Sequence, residues 1–422
     1  MPSRRDVVVT GLGVISPVGT DLQDLYQHLI ASRSGIHLWS CPGLVKKFPA
    51  GIINQSFREH FTRLELPSLD RCGQIAVLAA RQAIQDAGLG TFEASGPRAG
   101  LYYGTVRGGA EAENQWYRET FTEGKQTARP FTIMAIMHNS AASQISIRHQ
   151  VLGPVMTHSS ACTSSGTAIG EAYRAIRDGY LDVAIAGGAE APLTSGVFGA
   201  WDGTRALAAP DAIDVSRSSK PFSRERSGLV LGEGSAFVIL ESVEHARARG
   251  ALAYAQLSGY GISADAYHIS SPKTEGQVIA MRAALADAGI SAGELQYINA
   301  HATATRGDAD EADAIRTMAA DAWESIPVSS TKAIHGHLLG AASALEFVIT
   351  TLAATESFLP ATAHLDDIDP ACSLHHVPNN AVVGYPINRA MSFSAGLGGT
   401  NVALIISRES CTRRLSQPPS SS

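Results

Sequence analysis

The chain has 422 residues, 45% of them hydrophobic and 17% charged, which fits a large globular protein of two or three units and excludes a disordered chain. Its 33 Lys and Arg against 39 Asp and Glu leave a net charge of −6, which argues against a nucleic-acid binder working through a basic face. Five scattered cysteines, none in CxxC spacing, exclude a disulfide scaffold or zinc ribbon, and no apolar run approaches the ~20 residues of a membrane span.

The polar start, Met1 to Asp6, is not that of a signal peptide, and a cytoplasmic protein is expected. Val7 to Thr10 reads as a strand, followed by a turn at Gly11 and Gly13. Asp21 or Thr20 is placed to cap a helix over Leu22 to Ala31. Small and apolar residues at helical spacing predict a second helix over Arg71 to Gln85, stopped at Gly88. Leu181 to Gly187 is a short apolar run closed by glycines, the mark of a buried strand. Runs of this kind alternate with helices, the pattern of a layered α/β fold. The tail 409–422, with Gln417-Pro418-Pro419 and closing serines, is expected to be disordered.

Two internal echoes point to a duplication. Leu231 to Glu241 and Leu397 to Ser407 are each a Gly-rich loop feeding a strand of Val, Ile and Leu. Cys162 and His337 each open a helix rich in small residues. Both echoes recur about 170 residues apart. Two related halves, 1–243 and 244–408, account for this.

Cys162 lies among small residues, Ser159 to Gly166, at the start of a helical pattern. Unpaired N–H groups and the helix dipole there favour the thiolate of a nucleophile. A small buried cysteine is the alternative reading. His301 closes an apolar strand and is followed by Thr303 and Thr305, a setting for a base or hydrogen-bond donor as well as for a structural histidine. In Thr331-Lys332-Ala333-Ile334-His335-Gly336-His337, a following helix end would keep His337 neutral and able to donate Nε2–H. Glu346 falls inside the apolar helix, where a carboxylate needs a partner, and Lys332 is the natural one. His335 reads as incidental. Gly396 to Asn401 could present backbone N–H groups to an oxyanion, and matches no nucleotide-binding fingerprint. One Cys, two His and such a loop point to acyl transfer; no metal is expected, because no two ligands share a compact spacing.

The motifs Ala161-Cys162-Thr163-Ser164, Asn299-Ala300-His301-Ala302-Thr303, Thr331-Lys332 with Gly336-His337, and Gly398-Gly399-Thr400-Asn401 resemble the β-ketoacyl-acyl-carrier-protein synthases of the thiolase superfamily. Val7 to Pro17, Pro221-Phe222 with Gly232-Glu233-Gly234, and Ser263 to His268 are similar to further family segments, so the resemblance spans roughly residues 5 to 407. It implies a thiolase-like fold, two duplicated halves in five layers, α-β-α-β-α. It also implies a dimer. Cys162 would take an acyl chain from a carrier's phosphopantetheine, and His301 and His337 would stabilise the enolate formed as malonyl carrier decarboxylates. The N–H groups of Cys162 and Leu397 would form the oxyanion hole, with Gly398, Gly399 and Asp265 in the oxyanion and gating loops. Lys332 and Glu346 would organise the site electrostatically. Thr303, Thr305, Ser270 and Ser271 would line the pantetheine entrance, with Phe131 and Glu113 at the acyl pocket. No metal or resident cofactor is implied, since phosphopantetheine arrives on the acyl carrier protein.

The chain departs from the family pattern at several points. Ala302 replaces a usual glycine, Ala395 and Leu397 replace two usual phenylalanines, and Glu113 replaces an apolar residue. These favour a specialised type II polyketide-like pathway over long-chain fatty-acid synthesis. Two other readings stand beside this one. The chain could be a ketosynthase active only as a heterodimer with a chain-length factor. A thiolase would need a second catalytic cysteine near the end of the core, where only Cys411 lies.

Overall fold

The computed structural model describes residues 4–41, 43–408 and 413–415. A first set of elements runs β1 (Val7–Ile15), α1 (Arg71–Asp86), β2 (Ala99–Gly104), α2 (Ser140–His149), β3 (Val155–His158), α3 (Ser164–Arg177), β4 (Val183–Glu190) and β5 (Gly234–Ser242). A second set repeats the same order: β6 (Ala255–Ala264), α4 (Thr274–Ala288), β7 (Tyr297–Asn299), α5 (Gly307–Ala319), β8 (Val328–Ser329), α6 (Ala342–Glu356), β9 (Arg389–Ala395) and β10 (Thr400–Ser407).

The strands join in the order β8-β7-β9-β10-β6-β1-β5-β4-β2-β3. From the central seam outward both halves read alike. β1/β5 and β5/β4 are antiparallel, as are β6/β10 and β10/β9. β4/β2 and β2/β3 are parallel, as are β9/β7 and β7/β8. At the seam, Val7 to Val9 pair antiparallel with Ala255 to Leu257. The two echoed segments, ending in β5 and β10, hold equivalent places in the two half-sheets.

Helices α3 and α6 lie between the half-sheets, in the largest core cluster. α1 and α2 cover one outer face, and α4 and α5 the other. This is the five-layered α-β-α-β-α arrangement. Because α6 is enclosed, its side chains are buried all the way round from Ala342 to Thr355. By length and composition Leu339–Glu356 could cross a membrane, but 94% of it is buried inside the protein, as in a core helix.

The expected turn at Gly11 and Gly13 is not a turn. Both glycines lie inside β1, where α1 presses directly on the strand. A Cβ on Gly11 would stand 2.2 Å from the Ala83 carbonyl oxygen, and one on Gly13 2.1 Å from that of Ala79. The second half repeats the device: a Cβ on Gly259 would stand 2.3 Å from the Ala284 carbonyl oxygen, and one on Gly261 2.0 Å from that of Ala280. The helix after Asp21 runs Leu22–Ile30, with the Asp21 carboxylate accepting from the Asp24 N–H. The helix expected over 71–85 is α1, capped by Asp70, and the strand expected over 181–187 is β4.

Most of the tail expected to be disordered, including Cys411, lies outside the described residues. Arg413 to Leu415 depart from that expectation. Arg413 is buried, donates to the Thr10 carbonyl and to Asp86, each at 2.6 Å, and lies over the Tyr254 ring. It therefore ties β1 and α1 of the first half to the entry of β6 in the second. Leu415 donates its N–H to Glu356 at 2.7 Å, at the end of α6.

Candidate active site

β3 and α3 meet at a tight corner that carries Cys162. Ala161 adopts a left-handed backbone there (φ 55°), and Gly104 and Gly188 of the neighbouring strands leave room for the start of α3. His301 follows β7, and His337 lies between β8 and α6. Parallel strand ends thus deliver the three residues to one point, where open α/β sheets commonly place ligands. Cys162 Sγ lies 3.0 Å from His337 Nε2. The His301 and His337 rings meet edge to face, 5.4 Å between centroids. The Leu397 backbone N–H acts on the Cys162 thiol and favours its ionised form.

Burial governs the electrostatics. It pushes the Cys162 thiol up to about 11, against the pull of the Lys332 ammonium and the Leu397 N–H. The expected thiolate preference is thereby overturned. α3 begins only at Ser164, so Cys162 precedes the first turn and desolvation outweighs the dipole. Burial also holds His301 and His337 well below the ordinary histidine value, and the Lys332 charge lowers both further. The neutral state expected for His337 is present, but burial is its main cause and not a helix end. The neutral imidazole and the neutral thiol lie within hydrogen-bond distance, at 3.0 Å.

Lys332 pairs with Glu346 inside the core, as the apolar setting of Glu346 requires. His335, read as incidental, is buried and bonds Thr331 Oγ1 at 3.0 Å and the Gly336 carbonyl at 2.7 Å, which is a structural role. One ligand atom from each of Cys162, His301 and His337 lies within 4.8 Å of the others, close enough for a metal ion. The Lys332 ammonium acts electrostatically on all three and opposes a cation there. It favours negative charge instead, which is what acyl transfer and decarboxylation develop.

The family model for the beta-ketoacyl synthase N-terminal domain matches residues 4–246, and that for the C-terminal domain matches residues 254–366. The chain belongs to the beta-ketoacyl synthase family. It is 40% identical to Nodulation protein E of Rhizobium meliloti (strain 1021), covering 95% of this chain and 98% of that protein. It is 36% identical to 3-oxoacyl-[acyl-carrier-protein] synthase 2 of Staphylococcus aureus (strain COL), covering 97% and 99%. Its fold is similar to the ishigamide ketosynthase/chain length factor, with a TM-score of 0.89, 32% identity and coverage of 96% and 99%.

Against this synthase family, the remaining expected residues fall into four groups. Thr303 and Thr305 stand beside His301, their hydroxyls 3.0 Å apart. Their loop is held by Asp308, whose carboxylate accepts the N–H groups of Thr303, Ala304, Thr305 and Phe222 at 3.0–3.2 Å. Asp265 shapes the Gly-rich loop from below. It donates its N–H to the Gly399 carbonyl at 2.8 Å and accepts from Asn401 Nδ2 at 2.7 Å and the Lys273 N–H at 2.9 Å. The Gly398 N–H already donates to the Ile269 carbonyl at 2.8 Å, leaving the Leu397 N–H as this loop's donor toward the sulfur.

Ser270, Ser271 and Phe131 are exposed. The two serines sit on the loop before α4, and Phe131 starts the short helix Thr132–Ile136 with φ 69°. The Glu113 carboxylate is not left unpaired. It pairs with Arg107 at 2.6 Å and accepts from the Tyr117 hydroxyl at 3.3 Å. Sequence reasoning passed over Glu311, which accepts the His301 N–H at 2.6 Å and which burial pushes up to about 8. Its place one helical turn after Asp308 on α5 was the available signal.

Proposed function

We propose that the chain is a β-ketoacyl-acyl-carrier-protein synthase. It extends an acyl chain held on Cys162 by two carbons from malonyl carrier, with loss of carbon dioxide. The observation that carries this reading is the approach of Cys162 Sγ to His337 Nε2 at 3.0 Å. Cys162 sulfur attacks the acyl thioester while His337 Nε2–H stabilises the forming thiolate, and the thiol proton goes to the departing pantetheine sulfur. The oxyanion is met by the N–H groups of Leu397 and Cys162. Malonyl carrier then enters past Thr303 and Thr305. His301 and His337, both neutral, donate to its thioester carbonyl oxygen as the carboxylate leaves as carbon dioxide. The resulting enolate carbon attacks the acyl-Cys162 carbonyl and expels the Cys162 thiolate, which is reprotonated by one proton drawn from solvent.

Phosphopantetheine is part of the substrate in this scheme, so no resident cofactor takes part. The reading takes 1–243 and 244–408 as two units, the first supplying Cys162 and the second His301, Lys332 and His337. A cytoplasmic location and a dimer go with it. The likeness to the ishigamide ketosynthase/chain length factor supports a second form, a heterodimer with a ketosynthase-like partner. Gel filtration of the chain alone and with a candidate partner separates the two.

The test uses single variants. Cys162→Ala loses condensation entirely, since no acyl thioester forms. His301→Ala and His337→Ala still accept an acyl group on Cys162 but lose release of acetyl carrier from malonyl carrier. Retained decarboxylation in both histidine variants overturns the assignment of roles.

A further inference from the structure

The first turn of α3 is capped by a hydroxyl from the other half of the protein. α3 begins at Ser164, so the Gly166 N–H is one of the helix-start donors with no partner inside the helix. It donates to Ser343 Oγ, 2.8 Å away. Ser343 Oγ in turn lies 3.2 Å from the carbonyl oxygen of Cys162, just ahead of the helix, so one hydroxyl serves both backbone groups. The first bond within the helix follows, Thr167 N–H to the Thr163 carbonyl at 2.8 Å. Gly166 makes the close approach possible, because a Cβ there would meet Ser343 Cβ at 3.0 Å and Oγ at 3.1 Å.

The contact is reciprocal. Ser343 is in the first turn of α6, and Ser165 in the first turn of α3. Ser165 Oγ accepts the Ala344 N–H at 2.9 Å and lies 3.0 Å from Ser343 Oγ. Both serines are buried. A hydroxyl has one hydrogen to give and two lone pairs to receive. Ser343 receives from Gly166 and Ser165, so its hydrogen goes to the Cys162 carbonyl. Ser165 receives from Ala344 and gives its hydrogen to Ser343. In this arrangement every one of these buried groups is paired, as burial demands.

We infer that Ser343 is a positioning residue for the nucleophile, anchoring the Cys162 carbonyl so that Sγ stays on His337 Nε2. Ser165 orients the Ser343 hydroxyl. His337 and Ser343 belong to one short segment, so the proton partner of Cys162 and the anchor of its backbone move together. Without the hydroxyl the Cys162 carbonyl and the Gly166 N–H both lose this partner, and the backbone of the cysteine is held less firmly.

The inference rests on Cys162 being the nucleophile, and the experiment separates the two. Alkylation of Cys162 by iodoacetamide, followed by peptide mapping against pH, needs no carrier protein. Failure to label Cys162 in the unaltered protein overturns the nucleophile and this inference with it. Given labelling, Ser343→Ala slows alkylation near neutral pH by about fivefold to tenfold, the factor one net hydrogen bond is worth. The gap narrows at high pH, where the thiol ionises without His337. Ser165→Ala shows the same pattern at smaller size, and Ser165→Ala with Ser343→Ala is no slower than Ser343→Ala. Should Ser343→Ala fail to fold, Ser165→Ala carries the expectation alone. Profiles of the folded variants that superimpose on the unaltered protein overturn the positioning role.

Discussion

The Lys332 ammonium lies against the Glu346 carboxylate, fourteen residues further on, and both are sealed from solvent. The pair is the electrostatic floor of the site. Burial pushes Glu346 up to about 7 despite Lys332, while the Lys332 charge lowers His301 and His337 and opposes the rise of the thiol. Glu346→Gln leaves a buried cation without its counter-charge, which costs about 3–5 kcal/mol. Urea unfolding of Glu346→Gln is expected to show that loss. Lys332→Met raises the thiol further and slows alkylation of Cys162 at neutral pH.

The pH dependence of the thiol follows from its position. With Cys162 pushed up to about 11, the ionised fraction grows roughly tenfold per unit of pH until that value is reached. Alkylation in the unliganded protein is therefore expected to climb through the alkaline range and not to level off near neutrality. The two histidines are held below their ordinary range, so lowering the pH through about 6.5 protonates neither. A loss of decarboxylation centred near 6.5 in a rate profile would show that His301 or His337 titrates normally.

The Arg413 clasp predicts a stability effect far from the chemistry. Arg413→Ala removes the ion pair to Asp86, the bond to the Thr10 carbonyl and the stack on Tyr254. Asp86 is then left largely buried without its cation, a loss of about 3 kcal/mol in urea unfolding. Arg413→Lys restores charge without the fork and recovers part of it. Condensation per folded molecule stays unchanged in both.

Glu113 is engaged with Arg107 and Tyr117 and has no call to face an acyl chain. Glu113→Ile is expected to leave the preference among saturated acyl carriers of increasing length where it is in the unaltered protein. A shift of the optimum by two carbons or more would place Glu113 at the pocket after all.

Much of the site was legible because its chemistry is local. Cys162 among small residues, His337 beside Lys332, and a lone Glu346 in an apolar helix each carry their meaning within one segment. What was misread depends on distant partners. Gly11 and Gly13 look like a turn until α1, some seventy residues on, is seen lying on them. Ser165 and Ser343 are two ordinary serines until helices separated by 178 residues touch. The thiol's charge preference was misjudged because a helix start is readable in sequence and the depth of burial around it is not. Arg413 sits in a stretch whose composition signals disorder, and only Asp86, Thr10 and Tyr254, all remote in the chain, reveal its anchorage.

Cys162 ahead of α3 and His337 ahead of α6 come from matching strand-to-helix loops of the two repeats. Two identical subunits related by a twofold axis would be obliged to put the same side chain at both places, a pair of thiols or a pair of imidazoles. Neither pair can pass a proton from an acid to a differing base. Joining the repeats in one chain releases each copy from its twin, so that one could become the attacking atom and the other its proton partner. The asymmetry that the reaction demands is thus an outcome of covalent linkage, written into a framework that is otherwise symmetric down to its paired glycines.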